Sequence, residues 1–455
     1  MTMTTEELAQ AANDHLWLHF SRLAGEGGSG PTIIERGQGA YVWDVEGNRY
    51  LDGLAGLFVV QAGHGRREIA EAAAGQAETL AYFPLWTYAH PASIELAARL
   101  ARLAPGDLNR VFLTTGGAEA VDAAWKLARQ YFLAIGQPER VKVVARHTAY
   151  HGATISTLNI TGLEAIKEPF RPLLNGLSVH AATTNRLHCE LCSHADACNL
   201  ACADDIERAI LEAGPDTVAA VFLEPVQNAG GCFVPADGYF ARVREICDRY
   251  GVLLVSDEVI CAFGRLGDWF GSSLLGYQPD MLTFAKGVTS GYAPLGGLLV
   301  SDRIAEPFLE PTSTFLHGIT FGGHPVSCAV ALANLDVMEA EDLPGRVRGL
   351  EGEFKAALDT LLDLPIVEEV RGKGFFYGIE MSKNGAPFSD DECEWLIRGF
   401  LSSRLLELGL ICRADDRGDP VIQLSPPLVS GPEEFESIAG IIRQTLLEAW
   451  KELDR

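Results

Sequence analysis

Two residues suited to covalent and proton-transfer chemistry, Asp257 and Lys286, each stand at the end of a short apolar run. Val252 to Val255 leads into Asp257 and Glu258, Met281 to Ala285 leads into Lys286, and a third run spans Gly297 to Val300. Short, unalternating, β-branched runs suit strands buried on both faces. An acid and a lysine delivered at the ends of core strands, beside glycine-rich connections, stand where α/β sheets place ligand chemistry. The pattern alone leaves two readings open, a structural ion pair and a catalytic pair.

A second group of reactive side chains lies in HCELCSHADACNLAC, where Cys189, Cys192, Cys198 and Cys202 are spaced C-x2-C-x5-C-x3-C. Thiols gathered this densely can surround one metal centre, whereas core cysteines are scattered. Zinc ribbons pair two C-x-x-C knuckles, and only the first pair here has that spacing. The compact, uneven run is closer to those that hold iron–sulfur clusters, so a [4Fe-4S] cluster is expected, with zinc as the alternative. His188 and His194 are spare ligands.

The elements around these residues read as strands and helices in alternation. Arg110 to Thr115, RVFLTT, runs into Gly116, Gly117, Ala118 and Glu119 and then a helical pattern, a geometry that aims backbone N–H groups and a helix dipole at a phosphate. A strand VKVVARH leads to Tyr150, His151 and Gly152, and a strand AAVFLEP carries Glu224. Val259, two residues beyond Asp257, falls on the same side of an extended backbone. His151 is open to a structural reading as well as a functional one. No G-x-G-x-x-G follows a strand, which counts against a dinucleotide-dependent dehydrogenase.

A pyridoxal phosphate enzyme needs a lysine to bond the cofactor's aldehyde and a carboxylate to keep the pyridine nitrogen protonated, roles that Lys286 and Asp257 suit. The runs SDEVICAFGRLGDWFG and DMLTFAKGVTSGYAPLGG resemble the signature of the class III (ω-type) aminotransferases, and the likeness extends from about Leu51 to Leu428. The four-cysteine insert departs from the commoner pattern and points to a subgroup. The resemblance implies an α/β fold, a fold-type I pyridoxal phosphate-dependent transferase whose large domain has a mostly parallel sheet, with an α+β small domain. Residues 1–54 would form an N-terminal arm and hairpin of the small domain, 55–325 the large domain with the insert at 187–203, and 326–455 the rest of the small domain.

On the same resemblance, Gly117 and Ala118 hold the cofactor phosphate, Tyr150 stacks on the ring, Val259 packs its other face, and Glu224 lies near the ring substituents. Thr320 matches a threonine that reaches the partner subunit's cofactor phosphate, which implies a homodimer with shared active sites and leaves a tetramer open. Arg413 matches a mobile arginine that pairs the substrate carboxylate, and Arg417 stands close to it. Phe58 and Trp86 fall where pocket walls are expected. The implied reaction moves an amino group from a primary amine or ω-amino acid to pyruvate or a similar 2-oxo acid. Racemisation, decarboxylation or intramolecular amino exchange on the same fold is the alternative.

The chain has 455 residues, enough for a large and a smaller domain, and 61 Asp and Glu against 36 Lys and Arg. A formal charge of −25 repels phosphate backbones and anionic lipid, so neither nucleic acid nor membrane is an expected partner. The start MTMTTEELAQAANDHLW lacks the features of a signal peptide, and a cytoplasmic location with reduced cysteines is expected. Glu6 to Leu23 has helical spacing, with Trp17 and Phe20 as anchors to a larger body, and the turn signal at Glu46, Gly47 and Asn48 predicts a hairpin over residues 40 to 52.

Overall fold

The computed structural model describes residues 3–21, 30–189, 191–192, 198–415 and 417–454. Its central sheet has seven strands: β1 (Leu108–Thr114), β2 (Lys142–Arg146), β3 (Ser178–Ala181), β4 (Val218–Leu223), β5 (Leu253–Asp257), β6 (Met281–Phe284) and β7 (Gly296–Ser301). Their spatial order is β1-β7-β6-β5-β4-β2-β3. The pairs from β3 through β6 are parallel, and β7 runs antiparallel to both β1 and β6.

Every residue of β4, β5, β6 and β7 is buried, because helices cover both faces. Alternate side chains part to opposite faces. Phe222, Leu253 and Val255 pack with Val121, Ala124 and Ala128 of the helix Gly117–Ala134. Val221, Leu223 and Leu254 pack with Ile206 and Ile210 of Ala201–Ala213 and with Val243 and Ile246 of Tyr239–Tyr250. Covering both faces leaves the carboxyl ends of the parallel strands as the open edge for chemistry.

Two four-stranded sheets flank this body. In the first, the expected hairpin forms from Tyr41–Asp44 and Arg49–Asp52, and Leu410–Ile411 joins it in parallel. Asp44 holds its turn by accepting from the backbone N–H groups of Glu46 at 3.0 Å and Asn48 at 2.8 Å. The second sheet orders Val367–Lys373, Phe376–Met381, Val421–Leu424 and Arg413–Asp415, which puts Arg413 on an edge strand.

The N-terminal helix is shorter than its spacing predicts, Thr5–His15, and buries no residue. Trp17 and Phe20 are 76% and 78% exposed, so neither is buried in the core as an anchor. The run TEELAQAANDH offers alanines and polar residues but no stripe of large apolar side chains to bury. Among the described residues no helix is long and apolar enough to cross a membrane.

Candidate active site

The strand ends converge on a cavity of about 920 Å³ whose wall includes Gly117, Ala118, Tyr150, His151, Glu224, Asp257, Val259 and Lys286. Lys286 is the second residue beyond β6 and takes a left-handed φ of 43°. That conformation costs a non-glycine residue roughly 1–2 kcal/mol. The turn is held by Asn334, whose Nδ2 donates to the carbonyls of Gly287 and Val288 at 3.0 Å each. Burial pulls the Lys286 amine below its ordinary value, against the opposing charges of Asp257 and Glu224.

Asp257 ends β5 with 4% of its surface exposed. A carboxylate only accepts, so His151 Nδ1 carries the proton it shares with Oδ2 at 2.7 Å. Oδ1 accepts from the Thr283 hydroxyl at 3.1 Å and the Val259 N–H at 3.2 Å. His151 is itself fixed by Thr161, whose hydroxyl accepts from its backbone N–H at 3.0 Å. Three contacts, one of them braced in turn by Thr161, thus aim one carboxylate at the cavity.

Glu224 follows β4 and accepts from the Asn228 N–H at 3.0 Å. Burial pushes its carboxyl up, with His151 and Arg146 pulling the other way. Its Oε1 and the Nε2 of His151 are buried without a hydrogen-bond partner in the protein. Unpartnered polar atoms on a cavity wall are where a bound group completes the bonding.

At the other end the helix Gly117–Ala134 begins at Gly116, which has no side chain to cap the first amides. A Cβ on Gly117 would lie 2.8 Å and 2.9 Å from the Val259 methyls, so glycine is what lets the helix end approach this wall. The cavity therefore combines an uncapped helix N-terminus for a phosphate, a braced carboxylate for a ring nitrogen and an amine for an aldehyde. These are the donor types that pyridoxal phosphate requires.

Four expected site residues are not among those that line this cavity. Phe58 is 1% exposed and its ring packs edge-on against Phe376 at 5.7 Å, in a core cluster that also holds Cys261 and packs against Ile260, both on the cavity wall. The backbone turns it there, with positive φ at Gly56 and at Phe58 itself. Trp86 is 69% exposed and borders a separate surface hollow with His317 and Gly318. Thr320 is exposed and accepts at its carbonyl from the Tyr82 hydroxyl at 2.7 Å. Arg413 has its Nε 3.6 Å from Asp415 and is close enough to Tyr150 and Lys286 for its charge to act on both.

Other residues near the site were not expected there from the sequence. His19 and Phe20 reach the cavity wall although they follow a polar helix. Arg146, fully buried at the end of β2, donates to the Glu224 carbonyl at 2.6 Å and lies 3.4 Å from the Thr184 hydroxyl.

Cys189, Cys192, Cys198 and Cys202 line one narrow space together with Thr184, Asn185 and Arg186. His194 lies outside the described residues. Cys192 Sγ is 2.9 Å from Asn199 Oδ1. The Cys192 thiol is within side-chain hydrogen-bonding reach of both Cys189 and Cys198, and among the described residues the one group of three or more ligand atoms all within 4.8 Å of one another is His188, Glu380 and Asp419.

The family model for class III aminotransferases matches residues 24–446. The Mycobacterium tuberculosis protein named "Probable aminotransferase Rv3329" is 56% identical over 444 residues, 97% of this chain and 94% of the relative. The putrescine–pyruvate aminotransferase of Pseudomonas aeruginosa is 37% identical over 447 residues, 97% of this chain and 96% of the relative. A thermostable (S)-enantioselective omega-transaminase from Thermomicrobium roseum has a similar crystal structure, with a TM-score of 0.94 and 40% identity over 99% of this chain and 100% of that one.

Proposed function

Because the chain belongs to the class III aminotransferases, pyridoxal phosphate-dependent transaminases of amines and amino acids, we propose that it moves an amino group from a primary amine or ω-amino acid to pyruvate or a similar 2-oxo acid. The observation that carries the reading is that Lys286, Asp257 and the uncapped helix end at Gly117 share one cavity wall.

When bound, pyridoxal phosphate supplies an aldehyde for amine exchange and an electron-accepting ring. Asp257, aimed by His151, Thr283 and the Val259 N–H, would hold the proton of the ring nitrogen. The amides of Gly117 and Ala118 would hold the phosphate, and Tyr150 and Val259 would pack against the ring. Glu224 brings its open Oε1 to the ring substituents. Lys286 would hold the aldehyde through its amine and, when free of it, would be the base that moves a proton at the substrate carbon. Arg413 pairs the carboxylate of the acceptor.

Trp86 and Thr320 are exposed and off the cavity of their own chain, which supports a homodimer in which each copy lends both residues to the other's site. The four thiols are read as ligands of a [4Fe-4S] cluster. The uneven C-x2-C-x5-C-x3-C spacing, with a single C-x-x-C knuckle, favours a cluster over zinc. Arg146, buried beside Cys202 with only neutral hydrogen-bond acceptors, is a fitting neighbour for an anionic thiolate centre. Such a centre needs reduced thiols, in keeping with a cytoplasmic protein.

The test is a half-reaction series on the purified holoenzyme. The long-wavelength cofactor absorbance should bleach with an amine donor and return with pyruvate, with one alanine formed per amine consumed. Racemised amino acid without alanine would replace transamination with the alternative chemistry. Iron and zinc analysis with electron paramagnetic resonance of reduced, anaerobic protein decides between cluster and zinc.

A further inference from the structure

Two arginines, Arg413 and Arg417, compete for one buried carboxylate. Asp415 is 4% exposed, and Arg417 holds nearly all of its bonding capacity. Arg417 Nε donates to Oδ1 at 2.8 Å and Oδ2 at 2.9 Å, Nη2 donates to Oδ2, and the Arg417 backbone N–H donates to Oδ1 at 3.1 Å. Arg413 comes no nearer than 3.6 Å. Burial pushes the Asp415 carboxyl up, but the bonds and charge of Arg417 outweigh it and hold the group below its ordinary value.

Arg417 has little freedom to leave. Its guanidinium lies 5.9 Å over the Tyr150 ring, on the wall that the cavity shares. The next residue, Gly418, packs so closely that a Cβ there would meet the Cα of Gly230 at 3.0 Å. Arg413, by contrast, is on an edge strand, keeps 29% of its side chain exposed, and is pulled below its ordinary value by burial and by the like charge of Arg417.

From this geometry we propose that Arg417 is a positioning residue for substrate recognition: by saturating Asp415 it keeps Arg413 out of a salt bridge and available to the acceptor's carboxylate. The inference rests on the reading of Arg413 as the carboxylate partner. A buried carboxylate stripped of its partner takes the nearest cation. Without Arg417, Asp415 therefore captures Arg413, and the site loses its grip on a residue it still contains.

The experiment compares holoenzymes of Arg417→Ala, Arg417→Ala with Asp415→Asn, and Arg413→Ala, using pyruvate as acceptor and 1-phenylethylamine, which has no carboxylate, as donor. Arg417→Ala should raise the KM for pyruvate roughly tenfold or more, the scale of one lost charge-assisted pair, while the rate of the amine half-reaction changes less than about twofold. Adding Asp415→Asn should bring the pyruvate KM back to within about threefold of wild type, because nothing then competes for Arg413. An unchanged KM in Arg417→Ala, or a raised KM that Asp415→Asn fails to rescue, overturns the inference. An unchanged pyruvate KM in Arg413→Ala overturns the assignment of Arg413, and the inference falls with it.

Discussion

Lys286 works from a left-handed backbone inside a cavity that disfavours its charged form, and both facts bear on its chemistry. An amine pulled below its ordinary 10.5 is uncharged, and so nucleophilic, at lower pH than a surface lysine. The rate at which apoprotein captures the cofactor's aldehyde should therefore rise with pH and level off below 10.5. Asp257 opposes the downward shift, so Asp257→Asn should move the plateau to still lower pH. Borohydride reduction followed by peptide mass mapping should find the cofactor on the peptide containing Lys286. Lys286→Ala should carry no such mass and lose transamination by orders of magnitude, and retained turnover would assign the wrong lysine. These two residues were legible because each ends an apolar run, and a buried strand end is a fixed place. The burial of the Phe58 ring against Phe376 was not, because its direction depends on positive φ values at Gly56 and Phe58 that no periodicity encodes.

At the scale of elements, the turn beyond β5 is braced by Glu258, which is wholly buried beside Asp257. Its carboxylate accepts from the backbone N–H groups of Gly271 and, at 2.9 Å, Ser272, and from the Ser256 hydroxyl at 3.2 Å. Burial nevertheless pushes its carboxyl from 4.5 to about 7. Between those values the folded chain binds a proton that the unfolded chain has released, so stability falls as pH rises through this window and levels above it. The full change is on the order of 3 kcal/mol. Denaturant unfolding at several pH values should show this slope in the wild type and lose it in Glu258→Gln; an unchanged slope would place the titration on another group. The strands themselves were legible as apolar runs, and a run carries no direction. The antiparallel course of β7 follows from the short connection after Phe284, which holds no full helix, whereas a parallel return needs a longer crossover.

Across the whole molecule, the four-thiol insert is tied to the C-terminal sheet that carries Arg413. His188, next to the first cysteine, donates from Nε2 to Glu380 Oε1 at 2.5 Å, and Asn185 Nδ2 lies 3.4 Å from Asp419 Oδ2. Glu380 is 2% exposed and also pairs with Arg371, which donates to the carbonyls of Gly230 at 3.2 Å and Gly231 at 2.7 Å. The clustering of the thiols could be read from their spacing, but this brace joins segments far apart in the chain, and no local pattern links His188 to Glu380. A centre bound by the insert would hold His188 and Asn185 against that sheet, and its loss would free residues 413–419 from one side. Chelation, or Cys192→Ala, should therefore speed amide hydrogen exchange in that segment and raise the KM for the oxo acid. The cofactor absorbance should stay, because Lys286 and Asp257 are held by β5, β6 and Asn334. If exchange over 413–419 is the same with and without metal, the insert does not brace the substrate loop. If the cofactor is lost as well, the centre supports the large sheet too, and its influence reaches Glu224 through Arg146.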